Sequence, residues 1–378
     1  MKMRASRVVV SLALAIAGVL SVFPTAAQAV PTNAEWIRSL VLPDGAIARD
    51  IQPWMNGYPR YVAPYWANMS AYGLARTGDP VDLQVVWNWL SWYQAHMSPA
   101  GHVRNEQLVW DLTASPPTYT YDPDPMNEWF STVGNAGTFL IALREVYVNS
   151  GNDTAKLAEY LTGIQKAIAA INATMDVDGL AWQNPRVKVK LLMDQAEAYA
   201  GLRRGATLAN ALGDSVTAKL AGSLADKIDA GIETLYNAAA KMYAKAKNED
   251  GSLEATTWNQ YYMDSTAQVW TVGFGNIPPA KPLMPSTRAK SIVDTFATKW
   301  PEWSDPYFTV PPADPRVPGT SDGAIHFWPM VGLAFSDVGR KAEGLAGVNA
   351  IEAAALGAER TWPFTVGHAG EIIRVRGS

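Results

Sequence analysis

The strongest constraint on the fold is a repeated pattern in which apolar residues recur in steps of three and four. Between 153 and 175 the apolar positions are Leu157, Leu161, Ile164, Ile168, Ile171 and Met175. Segments 83–97 and 216–235 carry the same pattern, and Asp79-Pro80 supplies an N-cap and a first-turn proline for the first of them. This period is that of one face of an α-helix, so the pattern predicts helices that bury one side only.

Two segments between these helices, 132–148 and 190–212, are apolar or small nearly all round. Small residues recur in both of them, including Gly134, Gly137 and Gly201. A helix with no polar face is buried on most sides, and small residues allow neighbouring backbones to approach closely. The chain is therefore predicted to alternate inner, buried helices with outer, half-exposed ones.

An Asp-Gly turn signal recurs between the predicted helices. It begins at Asp44, Asp178, Asp250 and Asp322, and 99–103 reads as a degenerate fifth copy. The spacing is 72 residues from Asp178 to Asp250 and again from Asp250 to Asp322. Turns that recur at a constant spacing indicate an internal repeat.

The sequence predicts an all-α fold of eleven helices, in which inner and outer helices alternate. The predicted helices are 33–42, 61–77, 81–97, 125–149, 153–174, 190–211, 214–246, 263–275, 286–300, 325–337 and 340–359. The Pro-rich stretches, including 115–125, are predicted loops. An open superhelix of hairpins and a closed (α/α)6 toroid both fit this order. We favour the closed ring because the first and last helices lack an obviously polar capping face.

The N-terminus is predicted to be a secretory signal peptide, 1–29. A basic start (2–7) leads into an apolar run (8–23) and then a small-x-small cleavage site that ends at Ala29. The run is shorter than the ~20 residues that span a bilayer, which argues against an uncleaved anchor. We expect cleavage after Ala29, export to the extracellular space or periplasm, no integral membrane segment afterwards, and a single domain over 30–378.

Composition excludes several classes of function. Removing the leader leaves 31 − 3 = 28 Lys+Arg against 35 Asp+Glu, and no long basic run, so nucleic acid is not an expected partner. With no cysteine, disulfides, thiolate metal sites and cysteine nucleophiles are excluded. The four histidines lack metal-binding spacing, and no nucleotide-binding loop is present. No metal and no cofactor are predicted.

Three aspartates mark the candidate catalytic site. Asp124, Asp194 and Asp264 are 70 residues apart, and each lies at the start of a predicted inner helix. Equivalent positions in a ring of hairpins face one cavity, with Glu128 and Glu197 one turn deeper. Helix capping explains an aspartate at such a position equally well.

Converging carboxyl groups suit the hydrolysis of a glycosidic bond. That reaction needs one carboxylic acid to protonate the leaving oxygen and one carboxylate to activate water or to attack the sugar. Crowded carboxylates also raise one another's pKa, which keeps one of them protonated. Which of the three aspartates is acid and which is base is left open.

Aromatic residues are abundant, with fifteen tryptophans, and many lie in the loops and helix starts assigned to the cavity. Their flat rings suit the apolar faces of sugars, although core packing is the alternative. The predicted substrate-binding residues are Trp66, Tyr121, Glu128, Trp129, Trp182, Glu197, Trp258, Tyr262, Gln268, His326 and Trp328.

The order of inner helix, outer helix and Asp-Gly loop, with aromatic and acidic residues at the inner-helix starts, resembles the six-hairpin glycosidase superfamily. The resemblance covers most of the chain after the leader. It implies a funnel at one end of the ring where a sugar chain binds, and a glycoside hydrolase, commonly of the inverting kind. The expected substrate is a polysaccharide or oligosaccharide.

Two other functions fit the same residues. A polysaccharide lyase would use Tyr262 or His326 as its base, and cations such as Arg60 and those in 186–190 to neutralise a uronate. A non-catalytic glycan-binding toroid would keep the aromatic residues and dispense with the carboxylates.

Overall fold

The computed structural model describes residues 31–51, 58–123, 131–275, 281–303, 328–360 and 364–377. From Thr32 onward the chain forms one compact unit. The described residues contain thirteen α-helices and eight short strands. None of the described helices has the length and apolarity to cross a bilayer.

The helices follow the predicted order closely. They are α1 (Asn33–Ser39), α2 (Pro64–Thr77), α3 (Pro80–Ala95), α4 (Thr132–Asn149), α5 (Thr154–Ala158), α6 (Leu161–Thr174), α7 (Leu192–Ala211), α8 (Ser215–Thr234), α9 (Thr266–Gly275), α10 (Ser286–Lys299), α11 (Met330–Asp337), α12 (Lys341–Gly357) and α13 (Val366–Arg376). Most of them begin within three residues of a predicted start, because the apolar stripes and caps that define them are local signals.

Six of these helices form a closed inner ring. Each of α2, α4, α7, α9 and α11 packs against the next, α11 packs against α13, and α13 packs against α2. The outer layer consists of α3, α6, α8, α10 and α12, each of which packs on the inner helix before it in the chain, while α1 packs on α13. The prediction of a closed (α/α)6 toroid, rather than an open superhelix, is confirmed.

Glycines bring the inner helices together. A Cβ atom on Gly201 of α7 would lie 2.5 Å from the Cα of Gly137 in α4, and one on Gly73 of α2 would lie 2.5 Å from the Cα of Gly370 in α13. Real Cβ atoms do not approach other atoms so closely, so these contacts require glycine. The predicted close packing of the small-residue segments is confirmed for α4 and α7.

The repeated loops share one turn. The backbone N–H of Leu42 donates to the carbonyl of Ala46, and the same bond recurs from Ser98, Asp176 and Asn248 to the residue four further on. The turn glycines at 45, 101, 179 and 251 all have φ between 82° and 91°, a left-handed conformation that favours glycine. The predicted repeat therefore holds for 99–103, while the copy at Asp322 lies outside the described residues.

Several predicted elements are wrong. The helix predicted over 214–246 ends at Thr234, and the chain continues through strands β5 (Tyr236–Asn237), β6 (Met242–Tyr243), β7 (Ala246–Asn248) and β8 (Leu253–Glu254). Here β7 pairs with β4 (Val189–Leu191) and β8. The helix cannot continue because the chain turns between β5 and β6, where the side-chain oxygen of Asn237 accepts from the N–H groups of Ala239 and Ala240.

The region before α4 is also different from the prediction. Strands β1 (Tyr61–Val62), β2 (Glu106–Asp111) and β3 (Thr118–Pro123) form an antiparallel sheet, in which Gln107 pairs with Tyr61 and Asp122. The loop predicted over 115–125 is therefore in part a strand. One predicted helix is two, α5 and α6, and the sixth inner helix, α13, was not predicted.

Candidate active site

Carboxyl groups and aromatic rings meet where the inner helices begin. Their arrangement follows from the ring, because the first turns of all six inner helices lie at one end. The side chains concerned are Tyr65 in α2, Asp194 and Glu197 in α7, Trp270 in α9, Trp328 before α11, and Glu371 in α13.

Glu197 is held at the centre of this group. Its Oε1 atom accepts hydrogen bonds from the hydroxyl of Tyr65 at 2.6 Å and from the indole Nε1 of Trp270 at 2.8 Å. The side chain is buried, and Gly134 in α4 leaves room for it, since a Cβ there would lie 2.6 Å from Oε2. Three inner helices therefore contribute to the surroundings of one carboxyl group.

Asp194 lies one turn earlier in the same helix. Its Oδ2 atom accepts a hydrogen bond at 2.9 Å from the hydroxyl of Ser131, and Ser131 also caps α4. Burial raises the pKa of Asp194, and the Ser131 bond opposes this. Burial also raises the pKa of Glu197, and the negative charge of Asp194 adds to the effect. Two buried acids one turn apart cannot both ionise easily, so at neutral pH the pair tends to retain a proton.

Glu371 lies on the opposite side of the ring, because α13 is three inner helices away from α7. Its Oε2 atom accepts a hydrogen bond from the backbone N–H of Met330 at 3.1 Å. Its Oε1 atom is buried and has no hydrogen-bond partner among the described residues. Burial raises the pKa of Glu371 to about 8, so this group is protonated at neutral pH.

Aromatic rings form a box beside these acids, which we call the aromatic box: Trp66, Tyr262, Trp270 and Trp328. Trp328 stacks on Trp66 with ring centroids 5.0 Å apart and on Tyr262 at 5.5 Å, and it meets Trp270 edge to face at 5.1 Å. Trp66 and Tyr262 are only half-buried, so part of the box is open to solvent. A Cβ on Gly367 of α13 would lie 2.5 Å from the Trp66 ring, so this glycine makes space for the indole.

Among the predicted site residues, the structure brings together Asp194, Glu197, Trp66, Tyr262 and Trp328. Burial raises the pKa of Tyr262, and the charges of Asp194 and Glu197 raise it further. A tyrosine in such surroundings ionises with difficulty, which makes it a poor base.

Asp264 has different surroundings. It is buried in a π-helical turn (Tyr261–Ser265) before α9, where both carboxylate oxygens accept from the backbone N–H of Thr257 at 3.1 Å, and Oδ2 also accepts from its hydroxyl at 2.9 Å. The carboxylate thus ties the start of α9 to the preceding loop. Its predicted catalytic role stays a prediction.

Gln268 contacts strand β6 and the loop before the π-helical turn, and Trp258 lies in that loop. The Gln268 side chain binds the backbone N–H and carbonyl of Tyr243 at 2.9 and 3.1 Å, and donates to the Thr256 hydroxyl at 3.0 Å. Trp258 is buried at a positive φ of 60°. The hydrogen bonds of Gln268 join strand β6 to α9.

Trp182 lies in the loop before β4, and Tyr121 lies in strand β3. The ammonium of Lys190 lies 4.1 Å from the centroid of Trp182, and Lys190 also forms ion pairs with Asp176 at 2.5 Å and Asp178 at 2.7 Å. The Tyr121 hydroxyl donates to Asp44 at 2.6 Å.

Four predicted site residues, Asp124, Glu128, Trp129 and His326, lie outside the described residues. No group of three or more potential metal ligands occurs among the residues that are described.

The predicted site residues do not include Tyr65 and Trp270, although both lie in the segments assigned to the cavity, and Glu371 was missed altogether. The signal for Glu371 was available, since Thr365 is a good N-cap and apolar residues follow it at Val366, Ala369 and Ile372. The helix was missed because it is short and comes after a Pro-containing segment near the C-terminus.

Comparison of the chain with protein-family profiles and with curated proteins found no match. Among solved structures, a GH63 mannosylglycerate hydrolase from Thermus thermophilus, in complex with glucose, matches with a TM-score of 0.61 at 15% identity, over 91% of this chain and 100% of that chain. An uncharacterized conserved protein from the same organism matches with a TM-score of 0.61 at 14% identity, over 90% and 98%. A glycosidase in complex with glucose matches with a TM-score of 0.58 at 16% identity, over 91% and 94%. The chain therefore has the same (α/α)6 toroid fold as these solved structures.

Proposed function

We propose that this protein is a glycoside hydrolase that cleaves an oligosaccharide or polysaccharide with an acid and a base from opposite inner helices. One observation carries the proposal. Glu371 in α13 lies across the ring from Asp194 and Glu197 in α7, and all three acids lie beside the aromatic box. Glycosidic cleavage requires one protonated and one ionised carboxyl group.

Glu371 is the proposed acid. At neutral pH it carries a proton, since its pKa is raised to about 8, and a general acid works best when its pKa is near the working pH. Its Oε1 atom has no hydrogen-bond partner among the described residues, so a proton on that oxygen is available to a leaving group.

The α7 pair supplies the proposed base. When one of the two carboxyls ionises, the bonds from Tyr65 and Trp270 stabilise charge on Glu197, and the bond from Ser131 stabilises charge on Asp194. A base across the ring from the acid can activate water on the far face of the sugar. This arrangement favours inversion at the anomeric carbon.

The aromatic box is the proposed sugar-binding surface. The partly open rings of Trp66 and Tyr262 offer flat apolar faces, and such faces stack on sugar rings. Two of the similar solved structures are glycosidases in complex with glucose, which supports including small glucosides among the substrates tested.

We also propose that the protein is exported and that residues 1–29 are removed. N-terminal sequencing of the protein recovered from outside the cytoplasm tests this. A first residue of Val30 is expected, and an intact Met1 on all of the exported protein would contradict it.

The central experiment measures reducing ends and ultraviolet absorbance released from neutral and acidic glycans. Wild type is run beside Glu371→Gln, Asp194→Asn and Glu197→Gln, and proton NMR identifies the first anomer formed. We expect reducing ends without absorbance, an inverted product, and a ~10²–10⁴-fold loss in Glu371→Gln and in at least one α7 variant. An unsaturated product that absorbs would instead indicate a lyase.

Aryl glycosides separate the two roles. A nitrophenolate leaving group needs little protonation, so Glu371→Gln should retain much more activity on aryl glycosides than on natural glycans. Base variants should lose activity on both substrates. If no variant affects cleavage, the assigned carboxyls are wrong. If wild type cleaves nothing but melts at a higher temperature with a glycan, the protein is a binder.

A further inference from the structure

A second buried charge lies one turn after Glu371 in α13. The guanidinium of Arg374 is 1% exposed, and its Nε, Nη1 and Nη2 atoms make no hydrogen bonds with the described residues. It lies 3.9 Å from the centroid of Tyr72 in α2 and 5.5 Å from that of Phe274 in α9. Arg374 therefore stacks on aromatic rings and forms no ion pair with the residues that the structure describes.

Such a residue is unfavourable for stability alone. Burying an ionised guanidinium without hydrogen bonds is strongly disfavoured, and an apolar side chain of similar volume would fill the same space. The nearest acid along the helix is Glu371, three residues earlier, and residues with this spacing are neighbours on one helix face. One oxygen of Glu371 also has no partner among the described residues.

We propose that Arg374 is a positioning residue whose positive charge keeps the carboxyl group of Glu371 acidic enough to release its proton during catalysis. The proposal rests on the proposed role of Glu371 as the proton donor. Charge acting through a buried, low-dielectric interior needs no direct hydrogen bond.

Other groups around Glu371 and Arg374 share the interior of the ring. They are Tyr65 and Tyr72 of α2, Glu197 and Arg204 of α7, Tyr261 before α9, and Asp337 of α11. Of the charges acting on Glu371, that of Arg374 lowers its pKa, against the larger effect of burial.

The two outer helices that contact α13 direct charged groups elsewhere. Arg38 of α1 pairs with Asp82, and Glu352 of α12 pairs with Arg376 at the far end of α13. Arg374 is thus the cation best placed to act on Glu371.

The test is the pH profile of cleavage in Arg374→Met and Arg374→Lys. Without the positive charge, Glu371 holds its proton to higher pH and donates it less readily. In Arg374→Met we expect the alkaline limb to move upward by about 1–2 pH units, and cleavage of natural glycans to fall by ~10-fold or more while aryl glycosides are less affected. Arg374→Lys should keep the wild-type limb. A Met variant whose limb does not move would overturn the proposal.

A second measurement does not depend on activity. Thermal unfolding from pH 6 to 10 is compared among wild type, Arg374→Met, Glu371→Gln and the double variant. Above pH ~8 the folded wild type has released the Glu371 proton, and the ionised carboxylate is attracted to Arg374. The folded Arg374→Met variant still holds this proton, which the unfolded chain has already lost, so its stability keeps falling as pH rises. The stability difference between the two proteins should therefore grow in favour of wild type. The charge of Arg374 also lowers the pKa of Asp337, which burial raises to about 7. In the Glu371→Gln background only the part of the pH dependence that comes from Asp337 should remain, and the growth of the difference above pH ~8 should be smaller.

The two measurements separate the possible failures. A pH-dependent coupling in a protein that cleaves no glycan would overturn the proposed function while leaving the electrostatic link intact. A second result would overturn the role of Arg374 alone. In that case cleavage needs Glu371, but the coupling between Arg374 and Glu371 in unfolding does not depend on pH, and the alkaline limb of the pH profile does not move in Arg374→Met.

Discussion

The starts of α7 and α9 hold acids at equivalent positions of the repeat, yet the two acids have different surroundings. Asp194 lies in the first turn of α7 and accepts one hydrogen bond, from a side chain of the neighbouring inner helix. Asp264 precedes α9 and accepts three hydrogen bonds, all from Thr257 in the preceding loop. A regular spacing in the sequence locates both acids, and the loop that leads into each helix decides what each can do.

The difference comes from how the chain enters each helix. Strand β4 leads directly into α7, and Asp194 accepts a hydrogen bond from Ser131, the N-cap of the neighbouring inner helix α4. Before α9 the chain makes a π-helical turn in which Tyr262 is not helical (φ −110°, ψ 134°), and Asp264 binds the loop instead. Asp194 is therefore the candidate for chemistry, and Asp264 the candidate for structure.

The largest expected effect is on catalysis. Asp194→Asn should lower kcat/KM by ~10²–10⁴-fold, because an amide cannot act as a base or share a proton with Glu197. Its stability at pH 7 should change by less than ~1 kcal/mol, since the amide keeps the shape and can still accept from Ser131. Steady-state kinetics and urea unfolding measure both. If Asp264→Asn is fully folded and loses as much kcat/KM as Asp194→Asn, the two acids do not differ in role as proposed.

Asp264→Asn should act on stability instead. The variant loses a buried carboxylate that accepts three hydrogen bonds, and an amide can accept only some of them, so unfolding should be easier by about 2–4 kcal/mol. Urea unfolding at pH 7 measures the loss.

Asp250→Asn is the matched control for Asp264→Asn. Asp250 accepts the same kind of bonds from the N–H and hydroxyl of Ser252, but it is exposed, so its replacement should cost less than ~1 kcal/mol. Equal losses in the two variants would mean that burial of Asp264 is not what matters.

The pH dependence of stability gives the next, smaller effect. Acids whose pKa is raised in the folded state hold protons there that the unfolded chain has released. Their contribution to the free energy of unfolding is therefore present at low pH and is lost as pH rises through the folded-state pKa. For Asp194, Glu197 and Glu371, stability should therefore fall by at least ~2 kcal/mol between pH 5 and 8. Glu371→Gln and Asp194→Asn should each flatten this slope, which urea unfolding across this pH range measures.

Much of the fold could be predicted because its signals are local. Apolar stripes, N-caps and Asp-Gly turns lie within single helices or loops, and the glycines of α4 and α7 reveal which helices must approach closely. Ring closure depended on α13, whose eleven residues carry a weak pattern and which contacts α2 from the other end of the chain. That contact is distant in sequence, and local patterns cannot show it.

The candidate site was harder to predict. Spacing identified Asp194, and helical periodicity placed Glu197 one turn deeper. Spacing alone could not show that Asp264 faces a loop, since this depends on the backbone of the π-helical turn. Glu371 departs from the 70-residue series, so no repeat argument could reach it.

The smallest predicted effect probes the space that α4 leaves for the acids of α7. A Cβ on Gly134 would lie 2.6 Å from Oε2 of Glu197 and 3.1 Å from the hydroxyl oxygen of Ser131, the residue that binds Asp194. Gly134→Ala should therefore push the Glu197 carboxyl from its bonds with Tyr65 and Trp270. We expect a loss of about 1–2 kcal/mol in stability and a further loss of kcat, because moving a buried carboxyl leaves its donors unpaired.

Gly222→Ala in α8 is the matched control for Gly134→Ala, because a Cβ at Gly222 has no atom within 4 Å. Replacing a partly exposed glycine inside this outer helix by alanine should raise stability by about 0.5–1 kcal/mol and leave kcat unchanged. If Gly134→Ala lowers stability and Gly222→Ala raises it, the requirement for glycine at 134 comes from the neighbouring Glu197 carboxyl and not from the conformation of the helix. If Gly134→Ala also stabilises the protein and keeps full activity, Glu197 has freedom to move, and the α7 acids are less tightly held than their hydrogen bonds imply.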